Sequence, residues 1–169
     1  MSEDRSLEQH VLDLVDRTEI ADRLHDYCRG LDAMDLELLC SVFTEDCVVD
    51  YGPEPGMQTI GRGTLAHGLD RMMFRWVRTS HHLSNVQIEL LDRDHARSVS
   101  YVMAWHEFPD RQTTILYAQY HDTLRREVTG WRVQERRLVM TGGDANWDIP
   151  NHRLTRKGAS LVSYSDTRD

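Results

Sequence analysis

Residues 81–140 read HHLSNVQIEL LDRDHARSVS YVMAWHEFPD RQTTILYAQY HDTLRREVTG WRVQERRLVM. Over 81–91, Val86, Ile88 and Leu90 alternate with polar neighbours, and over 96–108 Val99, Tyr101, Met103 and Trp105 do the same. A period of two is that of a β-strand with one face buried. Two more long strands follow, at about 112–126 and 131–140. The joints are the short turns Asp92-Arg93-Asp94-His95 and Thr129-Gly130. Long strands joined by tight turns form an antiparallel meander. Half of the domain is therefore sheet, and the remainder must cover one of its faces.

Upstream, the period changes. Ser6 and Gln9 form a capping box, and Leu7, Val11, Leu14, Thr18, Ala21 and Cys28 recur at helical spacing, with Val15 and Leu24 widening the stripe. The expected helix faces the core and ends or loosens around Gly30. A second short helix runs from the cap Asp35 to Phe43. CVVDY at 47–51 reads as a first strand, closed by the turn-rich Gly52-Pro53-Glu54-Pro55-Gly56. A brief strand at 58–60 leads through Gly61-Arg62-Gly63 into a third helix over about 64–77. Helices first and a meander after them make an α+β domain. The expected architecture is a strongly bent antiparallel sheet with helices on its concave face, enclosing a pocket. It spans 1–141, with 142–169 as a polar C-terminal arm over the surface or a neighbouring subunit.

The composition narrows the function. The 169 residues carry 20 Lys+Arg against 28 Asp+Glu, a net charge of −8, so the basic stripe that nucleic acid requires is not expected. No apolar run approaches the roughly 20 residues of a membrane span. The polar, acidic start MSEDRSLEQH does not read as a signal peptide, which points to a cytoplasmic protein. Cys28, Cys40 and Cys47 are odd in number, without a CxxC, so neither a disulfide framework nor a zinc ribbon is expected. Gly61–Ala66 fits GxGxxG/A but lacks the parallel βαβ frame of a nucleotide fingerprint. His81, His82, His106 and His121 lack metal-ligand spacing. No cofactor and no metal are expected.

Continuing the apolar stripe four residues past Cys28 reaches Asp32, a carboxylate on the core-facing side unless the helix stops at Gly30 and leaves it a solvated cap. His81 and His82 follow Thr79 and Ser80 on a strand, so one faces in and the other out, and parity leaves the choice open. A strand histidine paired with a buried aspartate is a general base. His106 lies on the next strand, and Tyr27 and Tyr51 lie near Asp32 in sequence or in space. Each tyrosine reads first as a core residue with a satisfied hydroxyl, and a tyrosine or second histidine at a site would polarise a carbonyl or protonate a leaving hydroxyl.

The run IADRLHDYCRGLDAMDLELLCSVFTEDCVVDYGP, the IGRG turn, RTSHHLSNVQIEL and the GWRV strand together resemble SnoaL-like proteins of the nuclear-transport-factor-like superfamily, over about residues 6–140. The resemblance implies a cone-shaped α+β fold. Its nearest patterns are scytalone dehydratase, bile-acid dehydratase and hexachlorocyclohexane dehydrochlorinase. It selects His81 over His82 as the partner of Asp32, matches Tyr27, Tyr51 and His106 to site positions, and implies a homodimer or homotrimer. Leu31, Ala118 and Tyr120 depart from the scytalone enzyme's polar residues. The implied activity is a cofactor-independent dehydratase-type lyase acting on a small hydrophobic cyclic substrate through an Asp-His general base. An isomerase or cyclase, and a non-catalytic binder or oxygenase accessory protein, are the alternatives.

Overall fold

The computed structural model describes residues 6–155. Helix α1 covers Leu7–Ala33, α2 Leu36–Ser41, strand β1 Phe43–Asp50, β2 Gln58–Ile60 and α3 Arg62–Met73. Strands β3 (Arg78–Leu90), β4 (His95–Glu107), β5 (Thr113–Glu127) and β6 (Gly130–Gly143) form the meander, and β7 (His152–Arg153) closes the described chain. One open sheet holds them in the order β2-β1-β6-β5-β4-β3, with β7 beside β6. The α+β architecture is as expected. The pairing is not wholly antiparallel, however, because β1 and β7 both run parallel to β6. β2, α3 and the β3–β5 meander lie between β1 and β6 in sequence, so their pairing is a long-range one that local periodicity does not report.

Ser6 caps α1 as anticipated, its hydroxyl accepting from the Gln9 amide at 3.2 Å. Two details differ from the expectation. The residues that α1 buries are Ile20, Leu24, Tyr27, Cys28, Gly30 and Leu31, whereas Leu7, Val11, Leu14 and Val15 are exposed. Only the second half of the helix lies under the sheet. Nor does Gly30 stop the helix: a Cβ there would come within 2.8 Å of both the Leu39 backbone nitrogen and its Cβ. Gly30 is the point of close approach between α1 and α2, and the helix continues to Ala33. Met34 closes it in the left-handed conformation (φ 54°), its amide donating to the Gly30 and Leu31 carbonyls. Asp32 is therefore a residue of the last helical turn.

The Gly61–Ala66 segment joins an antiparallel strand to α3, so the nucleotide-binding frame is not formed there. α3 ends at Met73, short of the expected 77, with Trp76 and Val77 in the link to β3. Between Ser84 and Gln87, β3 takes one more residue than β4, a bulge at which Asn85 has φ 48°.

The core is built from Ile20 and Leu24 of α1, Phe43 and Val49 of β1, Leu65 of α3 and Val133 of β6, all essentially without exposure. Against it sits a buried ion pair. Arg136 donates through Nε and Nη2 to the two carboxylate oxygens of Asp122, each at 2.8 Å. The guanidinium lies 4.2 Å from the ring centroids of both Tyr27 and Tyr120. The bidentate geometry and the two aromatic faces compensate a charge that would otherwise be costly to bury. No helix among the described residues is long and apolar enough to cross a membrane.

Candidate active site

The bulge in β3 determines which histidine faces in. Without it, His82 would share a face with Val86, Ile88 and Leu90. The extra residue reverses the parity, so His81 and Leu83 join the inward side and His82 turns out. Leu83, Val86, Ile88 and Leu90 all pack against the core, and His82 is exposed with its Nε2 3.0 Å from Ser80 Oγ. The His81 side chain is only 6% exposed.

Three donors converge on Asp32 from the start of β3. His81 Nδ1 is 2.6 Å from Oδ1, the His81 backbone amide donates to Oδ2 at 2.9 Å, and Thr79 Oγ1 donates to Oδ1 at 2.8 Å. Partial burial works to raise the Asp32 pKa, but the hydrogen bonds from the His81 ring, the His81 amide and Thr79 outweigh it and hold the carboxyl below its usual value. An ionised Asp32 accepts the Nδ1 proton, which leaves Nε2 as the basic nitrogen of His81. His81 lines a cavity of about 50 Å³, and Asp32 stands behind the ring, outside the lining.

Tyr27 and Tyr51 line the same cavity, their hydroxyls 2.6 Å apart. Burial pushes the Tyr27 phenol up, with Arg136 opposing, and lifts the Tyr51 phenol well above its ordinary value, so both remain protonated donors. His106 is another wall. It is 3% exposed, packs on Trp76 and Trp147 at 4.3 and 5.2 Å between ring centroids, and meets the His81 ring edge-on at 5.4 Å. Burial, and then the neighbouring His81, lower its pKa to about 4, so at neutral pH it is an uncharged imidazole. Its Nδ1 is buried and has no hydrogen-bond partner among the described residues. All five residues singled out in the sequence thus meet at one place.

Other residues of the site left no signal in the sequence. Trp147, Ile149 and Asn151 line the cavity although they belong to the polar tail. The described part of that tail folds back across the sheet. The Asp144 carboxylate accepts from Thr114 Oγ1 at 2.7 Å and the Ile115 amide at 2.8 Å. Trp147 Nε1 donates to Asn151 Oδ1 at 2.8 Å, and Asn151 Nδ2 donates to the Tyr51 carbonyl at 2.7 Å. His152 Nε2 lies 2.8 Å from Asp50 Oδ1, which ties β7 to the end of β1. The remainder of the tail, 156–169, lies outside the described residues. Among the described residues no three His, Cys, Asp or Glu side chains are grouped so as to hold a metal ion.

The SnoaL-like domain model matches residues 13–137. Among solved structures, a candidate scytalone dehydratase from Novosphingobium aromaticivorans superposes with a TM-score of 0.80 at 30% identity, over 87% of this chain and 98% of that one. A type 2 hexachlorocyclohexane dehydrochlorinase (LinA) superposes with a TM-score of 0.74 at 17% identity, over 89% and 99% of the two chains. The type 3 LinA of Novosphingobium barchaimii gives 0.71 at 18% identity, over 87% and 99%. No curated protein sequence matches this chain.

Proposed function

Because the chain belongs to the SnoaL-like family, a fold of small-molecule-processing enzymes, we propose that it is a cofactor-independent lyase of the dehydratase type, with Asp32 and His81 as its general base. One observation carries this reading: a carboxylate holds the His81 ring at 2.6 Å through Nδ1, while the same ring forms part of the cavity wall. His81 Nε2 removes a proton from a carbon next to a carbonyl or ring system, and Asp32 stabilises the imidazolium that results. The electron pair left on carbon expels the neighbouring hydroxyl as the double bond forms. The Tyr27–Tyr51 pair hydrogen-bonds the carbonyl oxygen or protonates the departing group. Neutral His106, another residue of the cavity wall, is a further polar contact for a substrate oxygen. Trp76 and Trp147 supply aromatic walls that suit a small cyclic, polyketide-like, steroid-like or aromatic compound. The dehydratase and dehydrochlorinase names of the structural neighbours agree with elimination chemistry.

The test is turnover against a panel of cyclic β-hydroxy ketones and related alcohols, read by loss of water in the product mass. His81→Ala and Asp32→Asn are expected to lower kcat by about 10²–10⁴-fold, the usual contribution of general acid–base catalysis. Full turnover in either variant would overturn the reading. A product of unchanged mass would identify an isomerase working through the same pair.

A further inference from the structure

The cavity at His81 is too small for the substrate of such an enzyme. At about 10–15 Å³ for each water, its roughly 50 Å³ admits a few waters, whereas pockets for drug-sized ligands run to about 300–1,000 Å³. A second recess of about 560 Å³ opens directly outside it, between the 55–59 segment, α3 and the tail segment 148–150. Tyr51, Met57, Met72 and Ile149 belong to the walls of both. Two of these four partition residues, Met57 and Met72, are methionines, unbranched side chains that shift rotamer at low cost.

The outer recess carries a charge of its own. Its lining includes Arg71, Arg75 and Asp148. Arg75 is neutralised by Asp148, its Nη2 lying 3.0 Å from both carboxylate oxygens. Arg71 is exposed and makes no ion pair among the described residues. The recess therefore has an unmatched cation at its edge, in a chain whose net charge is −8. A cleft lined by one sign of charge concentrates ligands of the opposite sign. Gly68 in the same wall leaves space: a Cβ there would meet only Thr59 Cγ2, at 3.7 Å.

We propose that this outer recess is the second half of the substrate site, receiving an apolar body with an anionic group at its outer end, which Arg71 recognises. The inference rests on the elimination reading for the inner half. It gives the substrate class as an amphipathic organic acid whose reactive end reaches His81 past Met57 and Met72.

A matched pair of fluorescent probes tests this on the full chain: 8-anilinonaphthalene-1-sulfonate and its neutral parent N-phenyl-1-naphthylamine. The sulfonate is expected to bind at least tenfold more tightly than the neutral dye. Arg71→Gln should remove that difference, weakening the sulfonate about tenfold and leaving the neutral dye unchanged. Gly68→Phe should weaken both at least tenfold by filling the recess. It also replaces a helical glycine with a better helix former, and circular dichroism checks its fold. Equal binding of the two dyes, or a sulfonate affinity indifferent to Arg71→Gln, overturns the anionic assignment. Indifference of both dyes to a folded Gly68→Phe overturns the site itself. Dye binding reads no proton transfer, so these outcomes are separate from the turnover of the His81 and Asp32 variants.

Discussion

His106 shows how far a residue's surroundings can override its type. In the unfolded chain a histidine takes up a proton at about pH 6.5. In the fold, burial between Trp76 and Trp147, with His81 alongside, lowers this to about 4. Between those values the unfolded state binds a proton that the folded state refuses, so stability falls as the pH drops from 6.5 towards 4. Urea midpoints at pH 7 and pH 5 should show the wild type losing about 2 kcal/mol more than His106→Phe, which has no such proton to refuse. Asp32 acts at the acid end. Its lowered pKa contributes stability that is complete above the unfolded value of about 3.9 and is lost as the pH falls through the folded one. Asp32 was legible as an acid on an apolar stripe. Strand parity left the choice between His81 and His82 open, because two adjacent strand residues look alike until the faces of the strand are known, and only the family resemblance favoured His81.

At the scale of elements, the bulge in β3 makes that choice. It needs a residue that tolerates the left-handed conformation, and Asn85 (φ 48°) is among the few non-glycine types that do so at low cost. Asn85→Gly should stay within about 0.5 kcal/mol of the wild type. Asn85→Val should cost about 1–3 kcal/mol, the strain of a β-branched residue held there. Urea denaturation of the two variants measures this. The long strands and the three helices were readable because hydrophobic period is a local property. The boundary of α1 was not, since Gly30 reads equally as a helix stop and as a contact point. Only Leu39, nine residues on in α2, distinguishes the two.

For the whole molecule, the Asp122–Arg136 pair joins β5 and β6 beneath the tyrosines of α1 and β5. Arg136→Met leaves Asp122 buried without its partner and should cost about 3–5 kcal/mol. The double variant Asp122→Leu/Arg136→Met should recover most of that loss, because it buries no charge at all. Thermal unfolding of the single and double variants checks the order. The pair also keeps Tyr27 in place beside Tyr51, so the packing that supports the sheet supports the cavity wall. Nothing in the sequence announced this. Asp122 and Arg136 lie fourteen residues apart on neighbouring strands and touch only through the β5–β6 register.

Local order along the chain carried the α+β class and the sequence of helices and long strands, and the family resemblance added Tyr27, Asp32, Tyr51, His81 and His106, which the fold brings together. Periodicity and the family pattern both reside in local order along the chain. The tertiary structure alone decided that β1 runs parallel to β6, that His81 rather than His82 faces the cavity, and that the tail brings Trp147 and Asn151 to Tyr51. Each of these depends on contacts between segments far apart in sequence. Such contacts are set by sheet register and close packing, neither of which leaves a periodic trace in the residues that make them.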